Sequence, residues 1–433
     1  MTSLKEEYIP CVPTQDSLST IHEVESDKDS PSTIEDVESD EDSPSTIHVQ
    51  CKKCLNHNCN CNPEDADPKS SYIKGGYHPV KIGEMYNGYY LIQSKLGAGH
   101  FSTVWLAKDT RQSESDSNEF VAIKVSKSAI EYTDAAKDEA KFLKKISSDD
   151  RILTNKLLDE FEHDGPNGTH YCMVTNLLGN NLLDMIKKYH YRGLPYSLVQ
   201  KIAKQLLTTL AHLHEDHKLV HTDLKPENIL LSSNSRITNL PGRNKLRRDS
   251  KHRMLCYEED DTSDLLTKLD AYICDFGSAT DIDSPTTDDI TTRQYRAPET
   301  LTGCKFNEKV DIWSIGCILF ELLTGEYLFN PKGGENFSKD EDHLALIVEL
   351  IGMYPSKITT GKYNRSLFNA KGDLLHIRKF EYWPLKDVLN GKYRLDQEDA
   401  EMFSSFLLQM IQWDPEIRCS ARAALDHPWL KQV

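Results

Sequence analysis

Long apolar runs are missing from this 433-residue sequence, and so is an N-terminal pairing of basic with apolar residues. No run approaches the ~18 residues that a transmembrane helix needs, and nothing at the N-terminus is typical of a secretory signal. We therefore expect an intracellular protein, in the cytoplasm and the nucleus, that makes no membrane contact.

A disulfide framework and an excess of positive charge are also missing. The eleven cysteines are scattered, so we expect most of them to be reduced thiols packed as small apolar groups. Lys and Arg number 51 against 68 Asp and Glu, which gives a formal charge of −17. This balance argues against direct, non-specific nucleic-acid binding and favours basic partners.

Much of the negative charge lies in residues 1–70, which contain 16 acidic and five basic side chains. There STIHEVESDKDSP (19–31) recurs as STIEDVESDEDSP (32–44), a period of 13 residues. Solenoid repeats run ~20 to 50 residues and need large apolar groups, so this pattern predicts a disordered acidic tail. We expect no packed core before residue 71.

The tail contains a cluster of cysteines. The stretch CKKCLNHNCNC places Cys51, Cys54, Cys59 and Cys61 within 11 residues, with His57 between them. Four thiolates can enclose one Zn²⁺, but structural zinc sites generally draw their two halves from more distant segments. A zinc site and disordered or redox-active cysteines both remain open.

An ordered domain is predicted to begin near GEMYNGYYLIQSKLGAGHFSTVWLAKD. Alternating apolar residues on both sides of Gly97 and Gly99 predict a β-hairpin whose tip lets backbone N–H groups approach phosphates. Ser102 replaces the third glycine of GxGxxG, and a glycine-rich hairpin alone is more often only a turn. The next strand, FVAIKV, puts Lys124 where it could bridge nucleotide phosphates, with Glu139 of the following helix as its partner. A surface lysine at a strand end is the alternative.

The stretch HTDLKPENIL (221–230) has an Asp, a Lys and an Asn at the spacing of a protein kinase catalytic loop. In that pattern Asp223 accepts the proton of the substrate hydroxyl, Lys225 offsets charge on the transferring group, and Asn228 holds Mg²⁺. The later DFG supplies Asp275 as a second metal ligand. ATP and Mg²⁺ are therefore the expected cosubstrate and cofactor.

Further motifs, RAPE and DIWSIG, follow in the expected order. Glu299 is expected to form a buried ion pair with Arg418, and Asp311 to hold the catalytic-loop backbone, with surface charges as the alternative. The order predicts an α+β, bilobal protein kinase-like fold over 86–431. It has a small β-rich N-lobe (86–178), a large helical C-lobe (179–431) and a charged insert near 232–270 that is either a flexible loop or a localisation or docking segment.

The remaining ATP contacts are predicted on the strands and linker that flank the cleft between the lobes. They are Leu96, Gly97, Ala98, Gly99, Val104, Ala122 and Leu178. Thr175 is the position that would gate the pocket behind adenine, and it is small.

Thr222 stands where most catalytic loops carry an Arg. That Arg normally pairs with a phosphate on the activation segment, so its absence predicts an enzyme that is constitutively competent. Lys124, Asp223, Asn228 and Asp275 are all present, which argues against an inactive pseudokinase.

Several stretches resemble the serine/arginine-rich-protein kinases (the SRPK family, CMGC-like group): GGYHPVKIGEMYNGYYLIQSKLGAGHFSTVWLAKD, YTDAAKDEAKFLKKI, HTDLKPENILL, TTRQYRAPE and GEYLFNPKGGENFSKDEDHLALIVELIG. The similarity runs from about Gly75 to Trp429. Departures are DFG and APE where the family often has DLG and SLE, Thr175-Asn176 in place of Phe-Glu, and a short insert in place of a long spacer. The dual-specificity LAMMER kinases are the nearest competitor.

The resemblance implies a protein serine/threonine kinase that phosphorylates serines in Arg-Ser-rich proteins such as splicing factors, and acts as a monomer. Kinases of other Ser or Thr substrates and a non-catalytic scaffold for basic repeats remain alternatives. The resemblance also implies a docking groove in the large lobe and a nearby site for phosphoserines already made. The groove positions are Glu326, Asp342, Glu349 and Lys392, and the phosphoserine positions are Arg293, Arg296 and Lys339, the last an Arg in the family.

The two groove acids Asp342 and Glu349 lie seven residues apart, two turns along one face of a predicted helix, so both carboxylates could meet one cationic peptide. A solvated acidic face is the alternative.

Overall fold

The structure is a computed structural model that describes residues 69–112, 119–232, 268–284, 287 and 289–432. The repeats and the Cys51–Cys61 cluster of the predicted tail lie outside the described residues. Residues 233–267 of the predicted insert also lie outside them. All of the described residues belong to one compact unit.

The N-lobe is a six-stranded antiparallel sheet in the order β1-β2-β3-β4-β6-β5. The strands are β1 (Met85–Tyr86), β2 (Tyr90–Ala98), β3 (Ser102–Asp109), β4 (Phe120–Ser126), β5 (Leu157–Gly165) and β6 (Gly168–Asn176). Burial alternates along β3 and β4, because successive side chains of a strand point to opposite faces.

Helix α1 (Ile130–Ile146) lies between β4 and β5 in the chain and packs against β5 and β6. Its buried residues Ala136, Glu139, Ala140 and Leu143 recur at three- and four-residue spacing, which is the period of an amphipathic helix. The helix thereby turns Glu139 inward with the apolar face.

The C-lobe is helical. Its helices are α2 (Leu182–Lys188), α3 (Tyr196–Glu215), α4 (Pro298–Thr302), α5 (Lys309–Thr324), α6 (Lys339–Ile351), α7 (Asn364–Leu367), α8 (Leu385–Gly391), α9 (Gln397–Met410) and α10 (Ala421–Leu425). Helix α5 is buried from Val310 to Thr324 and forms the centre of the lobe. None of the helices in the described ranges is long and apolar enough to cross a membrane.

Four short strands frame the catalytic loop at the top of the C-lobe. They are β7 (Leu219–Val220), β8 (Ile229–Leu231), β9 (Ala271–Ile273) and β10 (Thr280–Asp281), with β8 paired to β9 and β7 paired to β10. The predicted α+β fold, with a β-rich small lobe and a helical large lobe, is confirmed.

The described cysteines are Cys172, Cys274, Cys304, Cys317 and Cys419, and all five are free thiols. Cys172, Cys274 and Cys317 are buried among apolar side chains, and burial raises the pKa of Cys274 to about 12. The expectation of reduced, packed thiols is confirmed for this part of the chain.

Candidate active site

The strand register places predicted ATP contacts on one face of the N-lobe sheet. Val104 of β3 pairs with Lys124 of β4, and Ala122 of β4 pairs with Thr175 of β6. Paired residues, and residues two apart on a strand, share a face of the sheet. The intervening Ile123 is fully buried on the opposite face, in the core of the small lobe. The face with Lys124 is therefore the face that can meet a nucleotide.

The tip of the β2–β3 hairpin carries Leu96, Gly97, Ala98 and Gly99. Leu96 is 49% exposed, and a Cβ added at Gly97 or Gly99 would meet no atom within 4 Å. Internal packing therefore does not require glycine at these two positions. A bare backbone on the open side of the loop is what close approach of phosphate oxygens needs. Leu178 follows β6 in the linker between the lobes and is partly exposed.

Lys124 joins the sheet to α1 and to the DFG turn. Its Nζ lies 2.8 Å from both carboxylate oxygens of Glu139 and 2.7 Å from Oδ1 of Asp275. Burial disfavours the ammonium form, but the two carboxylates outweigh burial and raise the pKa of Lys124. The same lysine lowers the pKa of Asp275 to about 2. The site therefore holds a fixed cation next to an ionised carboxylate.

The DFG turn is folded inward. Phe276 is 1% exposed, its ring lies 5.1 Å from that of His221, and the turn that begins with it packs against α1. Phe276 therefore packs beneath the helix that carries Glu139. Asp275 has a positive φ of 65°, a left-handed conformation that turns its carboxylate toward Lys124.

Asp311, on the first turn of α5, holds the catalytic-loop backbone as predicted. Its carboxylate accepts the N–H of His221 at 2.8 Å and the N–H of Thr222 at 2.9 Å, and it also contacts Nε2 of His214 at 2.9 Å. Asp311 is fully buried, so these bonds satisfy a charge that would otherwise be costly. They fix the loop immediately before Asp223.

Asp223 lies at the centre of a polar network. Its Oδ2 is 2.5 Å from Nζ of Lys225, and its Oδ1 accepts the hydroxyl of Thr292 at 2.8 Å. The amide of Asn228 donates to the backbone oxygen of Asp223 at 2.9 Å. Three of the predicted catalytic and metal-binding residues are thus brought together, and the activation segment is tied to them through Thr292.

The donor set suits a hard divalent cation. Asp275 offers ionised carboxylate oxygens, and the side-chain nitrogen of Asn228 is engaged with Asp223, so the amide oxygen of Asn228 is the end that can ligate. Oxygen donors of this kind are those that Mg²⁺ prefers. The residues present therefore fit the predicted metal.

Thr222, at the position usually held by Arg, is fully buried with a positive φ of 67°. Its hydroxyl donates to the backbone oxygen of Ser278 at 2.7 Å. The activation segment is held further by the pairing of Thr280 with Val220 in the β7–β10 ladder. Arg296 donates to the backbone oxygen of Thr291 at 2.7 Å.

The predicted ion pair between Glu299 and Arg418 is confirmed. Two parallel bonds of 2.7 and 2.8 Å join the carboxylate to the guanidinium, and both side chains are at most 1% exposed. Arg418 also donates to the backbone oxygens of Gln412 and Lys309, so its remaining donors are satisfied. The pair links the start of α4 to the C-terminal part of the lobe.

The groove acids predicted by resemblance each have a partner. Glu326 accepts Nζ of Lys392 at 2.6 Å, Asp342 accepts the N–H of Lys332 at 2.7 Å, and Glu349 accepts the N–H of Glu381 at 3.0 Å. Asp342 and Glu349 lie two turns apart on α6, as the spacing predicts. Both are partly exposed, which leaves carboxylate oxygen for a cationic partner.

The three predicted phosphoserine contacts lie in two elements. Arg293 and Arg296 flank a 3₁₀ turn of the activation segment, and Lys339 is the first residue of α6. Arg293 forms an ion pair with Asp340, the residue after Lys339, so the two elements meet at this point. Arg296 lies 3.1 Å from the carboxylate of Asp289.

Comparisons with known proteins agree with this geometry. Residues 90–430 match the family described as Protein kinase domain. The chain is 44% identical over 389 residues to "Serine/threonine-protein kinase SRPK" of Physarum polycephalum, covering 84% of this chain and 90% of the relative. It is 36% identical to "Protein kinase dsk1" of Schizosaccharomyces pombe, with 84% of each chain covered. It is 34% identical to human "SRSF protein kinase 3", with 85% of this chain and 90% of the relative covered.

The chain belongs to the SRPK family. It is a protein serine/threonine kinase, and ATP is the phosphate donor that its kinase domain implies.

One residue of this SRPK-family site was missed by sequence reasoning. Thr292 donates to Asp223 at 2.8 Å and receives a longer contact of 3.4 Å from Lys225, yet it lies 69 residues from Asp223 in the chain. Thr292 lies in TTRQYRAPE, a stretch that carries the family resemblance. A hydroxyl directly before RxxRAPE is the only local signal in this stretch, and it does not indicate the partner of Thr292.

Proposed function

We propose that this SRPK-family kinase transfers the γ-phosphate of ATP to serines in Arg-Ser-rich proteins such as splicing factors. The observation that carries the proposal is the Asp223–Lys225–Thr292 network, which sits in the same lobe as the acidic positions of α6. The name of the human relative, SRSF protein kinase 3, supports the substrate class.

The mechanism follows from the groups at the site. Asp223 accepts the proton of the serine hydroxyl as its oxygen attacks the γ-phosphorus, and the bond from that phosphorus to the ADP oxygen breaks. Lys225, held 2.5 Å from Asp223, offsets negative charge on the transferring group. Thr292 fixes one oxygen of Asp223, which leaves the other near Lys225 and the substrate.

Nucleotide binding would rearrange the contacts of Lys124. In the present structure Lys124 contacts both Glu139 and Asp275. We propose that the α- and β-phosphates draw Lys124 away from Asp275 while Glu139 keeps it in place. Asp275 and Asn228 would then hold Mg²⁺, which neutralises charge on the phosphates when bound.

The positive charge of an Arg-Ser repeat suits the acidic residues of the large lobe. Guanidinium groups form charge-assisted hydrogen bonds with carboxylates in a planar, two-pronged geometry. Asp342 and Glu349 offer two such carboxylates along one side of α6, and Glu326 offers a third once Lys392 releases it. Arg293, Arg296 and Lys339 would contact phosphoserines already made, although Lys339 supplies charge without the fork of an arginine.

We also propose that activity needs no activating phosphorylation. The usual phosphate-binding Arg is replaced by Thr222, and Thr222 itself bonds the activation segment at Ser278. Thr292 and Arg296 hold the following part of the segment without a phosphate group. Hydrogen bonds within the unmodified chain thus supply the ordering that phosphorylation supplies elsewhere.

The substrate class is tested by initial rates of phosphate transfer from labelled ATP to three peptides: an Arg-Ser repeat, the matching Lys-Ser repeat, and a serine peptide without basic residues. We expect the Arg-Ser peptide to be preferred, because lysine keeps the charge but loses the bidentate contact. Equal use of all three would favour a kinase of other Ser or Thr substrates. Binding of the repeat without transfer would favour a scaffold, and phosphotyrosine in the products would favour a LAMMER-type, dual-specificity enzyme.

We further propose that the enzyme is monomeric, binds no nucleic acid directly, and is present in both cytoplasm and nucleus. Sedimentation velocity, RNA and DNA titrations at physiological salt, and imaging of the tagged full chain test them one by one. A stable dimer, a specific nucleic-acid complex or confinement to one compartment would each overturn the corresponding proposal.

A further inference from the structure

The segment that precedes β1, residues 69–84, lies against the small lobe, and we refer to it as the N-terminal strap. The N–H of Gly75 donates to the backbone oxygen of Asn167 in the β5–β6 turn at 3.0 Å, and Asn167 donates in return to the backbone oxygen of Tyr77 at 2.6 Å. Tyr77 reaches the glycine-rich hairpin, where its hydroxyl donates to Gly99 at 2.5 Å. The strap therefore connects the β5–β6 hairpin with the loop that is predicted to hold ATP phosphates.

Three histidines and one glutamate meet where the strap crosses β5 and β6. The ring of His78 lies 4.7 Å from that of His163 and 5.0 Å from that of His170, with edge-to-face geometry in both cases. One ligand atom each of His78, Glu84 and His163 lie within 4.8 Å of one another. Two of these residues come from the strap and one from β5, so the cluster joins separate parts of the chain.

The polar atoms of this cluster are poorly satisfied by the protein. His78 is 4% exposed, its Nδ1 has no hydrogen-bond partner within the described ranges, and its Nε2 is 4.0 Å from Glu84, too far for a hydrogen bond. His170 is fully buried and bonds Ser126 through Nδ1, which leaves its Nε2 without a partner among the described residues. A buried imidazole without hydrogen-bond partners costs free energy, and a metal bound to His78 would recover part of it.

The chemistry of the cluster selects a borderline metal. Two imidazoles and a carboxylate form a donor set of the kind that binds Zn²⁺, with one position left for water. Tetrahedral ligand atoms lie about 3.4 Å apart, so ligand atoms that already lie within 4.8 Å of one another need only a small approach to enclose the metal.

From this juxtaposition we propose that His78, Glu84 and His163 form a Zn²⁺ site that ties the N-terminal strap to β5. The site shares no residue with the catalytic centre or with the Cys51–Cys61 cluster. Because Tyr77 precedes His78 and bonds Gly99, metal binding also restrains the glycine-rich hairpin through one residue.

A second cluster, with one histidine and two aspartates, already has a cationic partner within the protein. Asp149, His212 and Asp216 also place ligand atoms close together. Arg151 already lies 2.7 Å from Asp149 and 2.9 Å from Asp216, so its guanidinium supplies the positive charge that a metal ion would supply. His212→Gln in that cluster is therefore a matched control for His163→Gln.

The test uses the full chain, stripped of metal by a chelator and titrated with Zn²⁺ against a competing indicator under reducing conditions. Wild type and His212→Gln should bind one equivalent more than His163→Gln and Glu84→Gln, or bind it at least about tenfold more tightly. Zinc should also slow amide hydrogen exchange of residues 75–84 in wild type and His212→Gln only. These readouts do not depend on kinase activity.

Two further measurements distinguish the proposed site from zinc binding by the Cys51–Cys61 cluster and from a purely aromatic role of His163. Cobalt bound by His78, Glu84 and His163 gives a spectrum without a thiolate charge-transfer band, whereas the cysteines give that band. His163→Phe keeps the stack on Tyr86, 4.1 Å between ring centres in the wild type, but removes the ligand. The proposal is wrong if His163→Phe keeps wild-type zinc stoichiometry and affinity, or if all bound cobalt shows the thiolate band.

Discussion

The hydroxyl of Thr222 donates a 2.7 Å hydrogen bond to the backbone oxygen of Ser278. This contact joins the catalytic loop to the start of the activation segment. It lies at the position where most kinases have an arginine that binds the phosphate of a phosphorylated activation segment. Thr222 is fully buried, so its hydroxyl makes this bond on the inner side of the exposed Ser278. The ordering of the segment is thereby built into the unmodified chain.

Thr222→Val should lower kcat, because valine keeps the shape of threonine but cannot donate to the oxygen of Ser278. A hydrogen bond of this kind is worth about 0.5 to 1.5 kcal/mol, which corresponds to a two- to tenfold loss. Thr222→Ser keeps the hydroxyl and serves as the control, with activity near wild type. Steady-state rates on one Arg-Ser peptide compare the three proteins. Equal rates for Thr222→Val and wild type would show that the bond between Thr222 and Ser278 does not support activity.

Asp223→Asn should lower kcat by about 10²- to 10⁴-fold, because it removes the proton acceptor but no phosphate or adenine contact. ATP affinity, measured by calorimetry, should stay at the wild-type value. Asp426→Asn changes an exposed aspartate at the C-terminal end of α10, removes the same charge elsewhere in the C-lobe and should leave both values unchanged. Substantial transfer by Asp223→Asn would assign the proton to another group.

Thr292→Ala should reduce kcat about tenfold with little change in KM for ATP, because it frees one carboxylate oxygen of Asp223 from its 2.8 Å bond. Thr292→Ser retains the hydroxyl and should recover most of the rate. A rise in KM for ATP without loss of kcat would show that Thr292 acts on the nucleotide and not on Asp223.

Local patterns in the sequence were sufficient for much of this architecture. The pairing of Lys124 with Glu139 could be predicted because a strand lysine and a helix glutamate occur in a fixed motif order, and the period of α1 turns Glu139 inward. Glu299 and Arg418 could be paired for the same reason, although 119 residues separate them. Motif order carries this long-range information.

Contacts that depend on tertiary packing could not be predicted. Nothing in the sequence places Thr292 against Asp223, or the N-terminal strap against β5, because both contacts depend on how separately folded segments approach. The ion pair of Arg293 with Asp340 also depends on tertiary packing. Neither residue belongs to a motif that predicts the other as its partner.

The acidic groove is tested by a triple variant, Glu326→Gln, Asp342→Asn and Glu349→Gln. Amides keep the acceptor oxygens that bond Lys332 and Glu381, so the fold should be retained while three charges are lost. Each exposed pair is worth about 0.2 to 1 kcal/mol, so use of a long Arg-Ser substrate should fall roughly tenfold at low salt.

This loss should shrink as salt rises, because salt screens exposed charges, and a short peptide that fills only the active site should be used as by wild type. The control triple Glu131→Gln, Glu398→Gln and Glu416→Gln removes the same charge from exposed positions elsewhere and should have no effect. An equal loss on long and short substrates would place the peptide outside the groove.

The most direct test of the central claim is the progress curve of phosphatase-treated wild-type protein on a long Arg-Ser substrate, with mass spectrometry to verify that the activation segment carries no phosphate. An enzyme held in order by Thr222 and Thr292 should transfer phosphate to serine linearly from the first time point, at the rate of untreated protein and faster than to the Lys-Ser repeat. A lag, or activity that appears only after an upstream kinase has modified residues 276–297, would contradict the account.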